Sequence, residues 1–275
     1  MLYTSYGYHN FLNWIKFGKF KNISFKHNKR VMKLLTKLSI ENLLHPFQPF
    51  ILGQKLIAPK IAESMNIPLV FYSEDGEVEY GGDAQNKYKG VYNIDYIKHA
   101  YLEGGYEKIL KKSGLNEREL YWFNFPNEEE IKKLNLEITH YGFYENWDPY
   151  RNYMVAKEHC GLKERESLNK GTYTNFAQND SDLFPLHMYF MYLKFGFGRT
   201  TSDAAIDVRR GAMSRNQALE LIKLYDHYCP DQYFDKYCEY YKMKKKDFLK
   251  NIDKWANKKL FEKKKGKWTP IFKVI

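Results

Sequence analysis

A turn with two glycines between basic residues is the first segment whose residue types indicate binding chemistry. Gly196 and Gly198 lie between Lys194 and Arg199, ahead of a predicted helix. Free backbone N–H groups in the first turn of a helix bind phosphates and other anions. The chain has 8 Arg against 36 Lys, and four of the arginines lie within 17 residues: Arg199, Arg209, Arg210 and Arg215. Because a guanidinium binds phosphate through two hydrogen bonds, we predict an anion site here; the alternative is a helix C-cap beside a new N-cap, with surface salt bridges.

Four carboxylates between Ser73 and Gly82 follow the apolar segment 67–72, which is typical of a buried strand. In open α/β sheets, ligands bind just beyond the C-terminal ends of the strands. The acidic side chains are therefore candidates to bind ribose hydroxyls, a metal ion or an amine. A solvated acidic loop is an equal alternative. No spacing here is typical of metal ligands, and we predict no metal site.

Two further segments have side chains suited to a sugar. Residues 171–187 are rich in Thr, Tyr, Asn, Gln and Asp, which hydrogen-bond to hydroxyl groups, and they lead to His187 on a predicted helix. Residues 141–153 contain Tyr and Trp that can stack on a sugar or a base, although packing is the commoner role of such rings. His187 has no neighbouring nucleophile in the sequence, so we do not predict a general base there.

The composition excludes a disordered chain, since 44% of the residues are hydrophobic and 17% are aromatic. The net charge of +11 is concentrated in residues 242–275, where 13 Lys face three acidic residues and give +10, leaving +1 for the other 241 residues. This disfavours a nucleic-acid binder, for which a basic patch on the folded body is typical. A solvated helix face is the default role of the lysine-rich segment.

The three cysteines, Cys160, Cys229 and Cys238, form no C-x₂-C pair, which favours a reducing compartment. The first ten residues lack the charged and apolar segments of a secretory signal. The longest apolar runs are far shorter than the ~20 residues of a membrane helix. We therefore expect a cytoplasmic protein without a membrane span.

The spacing of apolar residues predicts an α/β fold with a parallel sheet in the first half and a mainly helical second half. Residues 50–53 and 67–72 are predicted parallel strands, joined by a helix over residues 56–65. Ser214 and Gln217 form a capping-box pattern that begins another helix. The other predicted helices are 32–44, 103–113, 128–134, 183–195, 202–210, 234–241 and 245–260, and residues 268–274 form a predicted strand.

Several long segments, taken in order, resemble the N-acetyl sugar amidotransferase family of lipopolysaccharide and pseudaminic-acid-type sugar biosynthesis. They are LLHPFQPFILGQ (43–54), IPLVFYSEDGEVEYGG (67–82), GTYTN from Gly171, LHMYFMYLKFGFGRTTSDAAIDVRRG (186–211) and residues 214–230 with the Tyr225-Asp226 pair. Ordered runs of this length are more specific than a single glycine motif. The resemblance covers most of residues 1–230, and the lysine-rich segment lies outside it.

The resemblance implies part of a PP-loop ATP pyrophosphatase fold, of the adenine-nucleotide-hydrolase type, in residues 1–165. A helical substrate- and anion-binding part would follow in 166–241, and a basic tail in 242–275. The implied reaction converts an acetamido group to an acetamidino group: the amide oxygen attacks the ATP α-phosphate, pyrophosphate leaves, and ammonia displaces AMP. Positive charge must stabilise the phosphates during this step. ATP with Mg is the implied cofactor, and the implied partners are a nucleotide-linked N-acetyl sugar and a separate glutaminase that supplies ammonia.

Within this chemistry Lys194 and Arg199 are the candidate catalytic residues. The candidate residues for binding substrate or anion are Glu74, Glu79, Tyr80, Gly196, Gly198, Asp203, Arg209 and Arg210. The sequence lacks the family's SGGxDS phosphate loop and its cysteine-bearing N-terminal segment, and Ser73 stands where a glycine is expected. We therefore expect a truncated or split form that needs an upstream chain carrying this loop. The alternative is a non-catalytic module that binds a nucleotide sugar or docks a glutaminase.

Overall fold

The computed structural model describes residues 2–73, 89–92, 106–126 and 128–275, which form two compact units. The central unit is His27–Trp147, and the C-terminal unit combines Met1–Lys26 with Asp148–Ile275. The helices of the described residues are α1 (Ser5–Gly18), α2 (Lys29–Leu43), α3 (Gln48–Ser64), α4 (Tyr106–Lys112), α5 (Glu117–Leu120), α6 (Glu128–Leu134), α7 (Tyr141–Tyr144), α8 (Pro149–Cys160), α9 (Phe184–Phe195), α10 (Arg199–Arg209), α11 (Arg215–Tyr225), α12 (Phe234–Tyr241) and α13 (Lys245–Trp255). The strands are β1 (Leu69–Tyr72), β2 (Val91–Tyr92), β3 (Glu137–His140), β4 (Phe261–Lys264) and β5 (Lys267–Pro270).

A three-stranded sheet of order β1-β3-β2 lies in the central unit. β1 and β3 are parallel, with Val70 opposite Ile138, and β2 is antiparallel to β3. Val70 and Ile138 are buried against Ala62 of α3. The predicted helix-rich α/β class is confirmed, but among the described residues the parallel pairing is limited to β1 and β3, so a PP-loop-type sheet is not confirmed.

The predicted strand at residues 50–53 is wrong, because these residues lie in α3. Leu52 and Leu56 are both fully buried, at the spacing of one helical turn, and they pack in a cluster with Leu35 of α2. A run of four apolar residues fits a buried helix turn as well as a strand, so periodicity alone does not separate the two. The predicted strand at 67–72 corresponds to β1, which the structure assigns to Leu69–Tyr72. Its predicted burial is wrong in part, because Val70 is buried whereas Leu69 and Phe71 are exposed.

The C-terminal unit is mainly helical, and its core is rich in aromatic residues. Phe190, Tyr237, Tyr241 and Phe248 are among its most deeply buried side chains. The predicted helix 234–241 matches α12, and the capping box is confirmed: the Ser214 hydroxyl accepts from the Gln217 N–H at 3.3 Å, while the Ser214 N–H donates to Gln217 Oε1 at 2.9 Å.

The lysine-rich segment is folded into this unit. Phe248 and Ile252 of α13 are buried, and so is Phe261 at the start of an antiparallel hairpin formed by β4 and β5. The predicted strand at 268–274 corresponds to β5, which ends earlier at Pro270. Among the described residues, no helix is both long enough and apolar enough to cross a membrane.

The first residues of the chain belong to the same unit as residues Asp148–Ile275. The Thr4 N–H donates to the Asp180 carbonyl at 2.9 Å, and the Thr4 hydroxyl donates to the Asn179 carbonyl at 2.5 Å. The Asp182 N–H donates to the Leu2 carbonyl at 2.9 Å. The C-terminal unit is therefore assembled from two segments that are far apart in the sequence.

Candidate functional site

The turn between α9 and α10 is capped from within the protein. α9 ends at Gly196, whose φ of 85° is in the left-handed region that favours glycine. The buried Asp226 carboxylate, 7% exposed, accepts from the N–H groups of Gly198 at 2.7 Å and Thr201 at 3.0 Å, and from the Thr201 hydroxyl at 2.7 Å. The N–H groups that we predicted to be free for an external anion are thus bonded to Asp226 at these two positions.

One face of α10 carries alternating charges. Arg199, Asp203, Asp207 and Arg210 follow one another at spacings of four, four and three residues, which places them on one helix face. Arg199 Nε lies 2.7 Å from Asp203 Oδ1, and both side chains are buried, with 5% and 8% exposed. The Thr172 hydroxyl donates to Asp203 Oδ2 at 2.6 Å. The buried guanidinium and carboxylate therefore neutralise each other.

Asp207 joins α10 to the neighbouring segments. Its carboxylate accepts from the Tyr173 hydroxyl and from Arg210 Nε, at 2.6 and 2.7 Å. Arg210 also lies 3.4 Å from Asp148 Oδ2. Asp148 is the N-cap of α8, where it accepts from the Arg151 N–H at 2.9 Å. This network fixes the start of α8 relative to the end of α10.

A cavity of about 390 Å³ lies between these elements, and we refer to it as the α8–α10 cavity. Three aromatic residues line it. The rings of Tyr153 and Phe176 are stacked with their centroids 4.5 Å apart, and the centroid of the Tyr150 ring lies 5.8 Å from that of Tyr153. The polar lining consists of Arg199, Asp203, Asp207, Arg210, Tyr173, Thr174 and Asn175. Two guanidinium groups face two carboxylates there, so the formal charge of the four side chains is balanced.

Burial shifts the ionisation of several groups in this region. It raises the pKa of Asp203, and the Arg199 guanidinium and the Thr172 hydroxyl oppose that shift by stabilising the carboxylate. It also raises the pKa of Tyr173, with a further contribution from the hydrogen bond to Asp207, so this hydroxyl stays protonated and donates. Burial and the charges of Lys194 and Arg199 lower the pKa of His187 to about 3, which makes it a weak base.

The C-terminal unit contains a second cavity of about 1070 Å³, which is lined by residues between 189 and 275. We refer to it as the C-terminal cleft. Its aromatic lining includes Tyr189, Tyr192, Tyr228, Trp268 and Phe272. Its basic lining consists of Lys223, Lys263, Lys267 and Lys273, together with His227. Gly196 and Asp226 also line it, so the turn that begins α10 borders this cleft.

The structure separates the residues predicted to form one anion site. Arg199, Asp203 and Arg210 line the α8–α10 cavity, whereas Gly196 lines the C-terminal cleft. Arg209 is exposed on α10, and Lys194 Nζ lies 5.0 Å from the centroid of the Phe195 ring, with neither residue in the lining described for these cavities. Glu74, Glu79 and Tyr80 lie outside the described residues. A ligand-binding or catalytic role for each of these residues stays a prediction.

Three segments treated separately in the sequence meet at the α8–α10 cavity: 149–153, 173–177 and 199–210. Asp207 and Phe176 were not predicted. The spacing from Asp203 to Asp207 to Arg210 on a predicted helix is a signal that identifies Asp207. Phe176 has no such signal, because its stacking on Tyr153 joins residues 23 positions apart. Among the described residues, no group of three His, Cys, Asp or Glu side chains could hold a metal ion.

Residues 170–274 match a protein-family model described as LPS biosynthesis protein WbpG-like, C-terminal domain. The matched segment contains the polar lining of the α8–α10 cavity and the whole lining of the C-terminal cleft except Ile275. It includes the lysine-rich segment, so our expectation that this segment lies outside the resemblance is wrong. The comparison with curated proteins gives no match. The C-terminal part of this chain is thus similar to proteins of lipopolysaccharide biosynthesis.

Proposed function

We propose that the protein acts in lipopolysaccharide biosynthesis on an N-acetyl sugar and that the α8–α10 cavity holds the sugar ring. The similarity of residues 170–274 to a lipopolysaccharide-biosynthesis domain supports the pathway. The observation that supports the ligand class is the composition of the cavity lining, which combines the aromatic rings of Tyr150, Tyr153 and Phe176 with hydrogen-bonding side chains of balanced charge.

A sugar ring presents apolar C–H faces and hydroxyl edges, and the cavity has a surface suited to each. An aromatic ring contacts the apolar face without requiring hydrogen bonds. Carboxylates accept from hydroxyls, while guanidinium and amide groups donate to them. The cavity volume of about 390 Å³ is near the lower end of the roughly 300–1,000 Å³ typical of small-molecule sites. A single sugar ring is thus a better fit than a whole nucleotide sugar.

The proposed reaction is the conversion of an acetamido to an acetamidino group, in the cytoplasm, with ammonia from a glutaminase. An amide carbon accepts ammonia only after its oxygen has become a leaving group, and ATP supplies that activation in the implied chemistry. The described residues do not fit ATP with Mg²⁺: the N–H groups of Gly198 and Thr201 are bonded to Asp226, and no three-ligand metal group is present among them. We therefore propose that a partner chain with the SGGxDS loop binds ATP.

The contribution of this chain is then to bind and orient the sugar. Arg210 and Asp207 are already hydrogen-bonded to each other, and their remaining donors and acceptors face a cavity whose walls are fixed by the Asp148 contact. Such pre-ordering lowers the entropy lost on binding. It also favours one orientation of the acetamido group, which is the requirement for reaction with a group from a partner.

Calorimetric titration of the full chain with three 2-acetamido hexoses, derived from glucose, galactose and mannose, tests the sugar site. We expect at least one to bind more tightly than glucose. Tyr153→Ala should weaken this binding about tenfold, because it removes the stacking surface. Tyr153→Phe keeps the ring and should bind like the wild type. Tyr8→Ala, at an exposed tyrosine of α1, is the control for tyrosine truncation. Failure of all three sugars to bind, or unchanged binding by Tyr153→Ala, overturns the sugar site.

A non-catalytic binding module is the second candidate function. The observation that favours it is the internal pairing of Arg199 with Asp203 and of Arg210 with Asp207, which suits binding better than charge neutralisation in a reaction. Deletion of the gene separates the two functions. Loss of an acetamidino sugar from the surface glycan, detected by mass spectrometry, supports the amidotransferase. An unchanged acetamidino content contradicts it and leaves the binding module.

A further inference from the structure

We propose that helix α1 lies in the interfacial layer of an anionic membrane, with its apolar side chains among the lipids and its lysines against the headgroups. The inference goes beyond the proposed function and does not depend on it. It gives a role to residues 1–26, which are absent from the lining described for the α8–α10 cavity and the C-terminal cleft.

Helix α1 turns polar side chains toward the protein. Asn10 Nδ2 donates to the Lys163 carbonyl at 2.9 Å, and Asn10 Oδ1 accepts from the Lys163 N–H at 2.8 Å. Asn13 Nδ2 donates to the Gly161 carbonyl at 2.7 Å. The two asparagines are three positions apart, so they share one face of the helix. These bonds fix which face of α1 packs against the rest of the C-terminal unit.

The apolar side chains of α1 lie on the other side. Tyr8, Phe11 and Leu12 recur at spacings of three and four residues, and at 3.6 residues per turn they are centred opposite the two asparagines. Trp14 is stacked beside Phe11, with ring centroids 6.4 Å apart. We refer to these four residues as the α1 apolar face. Each of them is 46–64% exposed, and all residues of α1 are described, with none of them buried.

This arrangement is the reverse of an ordinary surface helix, which buries its apolar face and exposes its polar one. The exposed Phe20 extends the apolar face, because its ring centroid lies 4.6 Å from that of Trp14. A contiguous exposed apolar patch marks an interaction surface. Trp and Tyr are also the residues enriched at the boundary between membrane and water. The α1 apolar face therefore has the composition of a surface that contacts lipid.

The length of α1 determines its orientation. Its 14 residues span about 21 Å at 1.5 Å per residue, which is shorter than the roughly 30 Å hydrocarbon core of a bilayer. A helix of this kind lies along the membrane surface, with its apolar side chains about 5–10 Å deep. The proposal is thus a surface contact through one helix face.

The charge around the α1 apolar face selects an anionic surface. Residues 1–26 contain four Lys and no Asp or Glu, and Lys16, Lys19 and Lys21 are exposed. The C-terminal unit has 29 Lys and Arg against 16 Asp and Glu, a net charge of +13, whereas the central unit has 15 against 17. Each basic residue close to an anionic leaflet strengthens binding about fivefold. Negative headgroups therefore complement the unit that carries α1.

The same charge disfavours protein occupants of this face. A second copy of the chain would bring another unit of like charge against the first, which opposes association. The buried core of a protein interface is also depleted in Lys. A helix at a membrane surface, in contrast, combines Lys on one side with Trp, Phe and Leu on the other. This combination is the one that α1 has.

Co-sedimentation of the full chain with lipid vesicles tests the proposal. Vesicles that contain phosphatidylglycerol and phosphatidylcholine are compared with vesicles of phosphatidylcholine alone. We expect binding to the anionic vesicles to be about tenfold stronger or more, and to weaken as salt screens the lysines. No binding to the anionic vesicles, or equal binding to both kinds, overturns the proposal.

Two matched double variants test the apolar contact. Phe11→Ser with Leu12→Ser should weaken binding to the anionic vesicles about tenfold, because it removes apolar area that the lipids cover. The melting temperature should not fall, since both side chains are exposed. Phe195→Ser with Leu224→Ser makes the same change at exposed positions of α9 and α11 and should change binding less than twofold. Equal binding by the two double variants overturns the proposal.

A second matched pair tests the lysines. Lys16→Gln with Lys21→Gln should weaken binding about tenfold or more, at about fivefold for each charge. Lys246→Gln with Lys250→Gln removes the same charge from exposed positions of α13 and should change binding less than twofold. An equal loss in both would show that the lysine-rich segment contributes as much as α1, and this contradicts the proposal.

Quenching of tryptophan fluorescence by brominated lipids reports which residue enters the lipid. Trp14→Phe keeps an apolar ring, so it should bind the vesicles like the wild type but lose most of the quenching. Unchanged quenching would show that another tryptophan enters the bilayer, and the proposal would be wrong. Sedimentation velocity examines the second copy as occupant. A wild-type dimer that Phe11→Ser with Leu12→Ser converts to a monomer would assign the α1 apolar face to self-association instead.

Discussion

Asp226 holds the first turn of α10 through the backbone of Gly198, whose N–H donates to the carboxylate at 2.7 Å. The two residues are 28 positions apart, so one helix is capped by a side chain that follows another, α11. The negative charge also interacts favourably with the N-terminal end of the α10 dipole. This contact joins α10 and α11 at the turn that lies beside the C-terminal cleft.

We predict that Asp226→Ala lowers the free energy of unfolding by about 2 kcal/mol. The loss of an N-cap side chain costs about 0.5–2 kcal/mol, and the buried N–H group of Gly198 would lose its acceptor. Urea unfolding of the two proteins measures the change. Asp235→Asn, which weakens an exposed ion pair with Lys245, is the control and should cost less than about 0.5 kcal/mol. Equal stability of the Ala variant and the wild type would contradict the cap.

Gly198→Ala should destabilise the same turn by a different mechanism. A Cβ at Gly198 would lie 2.9 Å from the Asp226 carbonyl oxygen and 2.9 Å from its carboxylate, so the cap must move. We expect a loss of about 1–3 kcal/mol, as for other overpacked sites. Gly53→Ala is the matched control, because Gly53 lies inside α3 and no atom of the described residues comes within 4 Å of the added Cβ. It should stabilise the protein by about 0.5–1 kcal/mol, and both changes appear as shifts of the unfolding midpoint.

The buried pair of Arg199 and Asp203 predicts strong non-additivity. Asp203→Leu leaves the buried guanidinium without this carboxylate and should cost about 3–5 kcal/mol. Adding Arg199→Met should recover most of that loss, because the buried positive charge is then removed as well. A double-mutant cycle measured by chemical unfolding gives the coupling between the two residues. A double variant as unstable as the sum of the single changes would show that the two side chains do not form a buried ion pair.

His187 predicts a loss of stability in acid. Its folded pKa of about 3 is below the ordinary value of 6.5, so the unfolded chain takes up a proton as the pH falls below 6.5 while the folded protein does not. Stability should therefore fall by at most about 1.4 kcal/mol per pH unit from this group. Its contribution is complete above the unfolded pKa and is lost between 6.5 and about 3. Buried acids with raised pKa values, such as Asp203, act in the opposite direction.

Comparison of the wild type with His187→Gln isolates this effect. The difference in unfolding free energy between the two proteins should change in favour of the variant as the pH is lowered, across the range in which both remain folded. Thermal unfolding at a series of pH values measures it. A difference that is independent of pH would show that His187 titrates normally in the folded protein.

Helices with clear periodicity or a cap could be predicted from the sequence, and contacts between distant segments could not. The Ser214 capping box and the helix 234–241 depend on residues within one or two turns, so local pattern suffices. Residues 50–53 were misassigned because a short apolar run fits either a strand or a buried helix turn. The bond from Gly198 to Asp226 joins residues too far apart for any periodic pattern to show it.

The candidate site shows the same division. The residue types in 171–187, 141–153 and 194–210 indicated sugar or anion binding one segment at a time. The spacing of Arg199 and Asp203 allows the two to pair on one helix face, but the sequence does not show how deeply they are buried. It therefore predicts a guanidinium available to an anion. The meeting of Tyr153 with Phe176 depends on how α8 packs, which no local signal encodes.

The contacts of Thr4 also determine when the C-terminal unit can form during synthesis. Its partner Asn179 lies 175 residues later in the chain. At a translation rate of roughly 5–20 residues per second, about 9–35 s pass between the synthesis of the two. The residues of the central unit are made during that interval, and they can fold while Met1–Lys26 is still without its partners. The C-terminal unit is thus completed last, although its helix α1 is synthesised before the central unit.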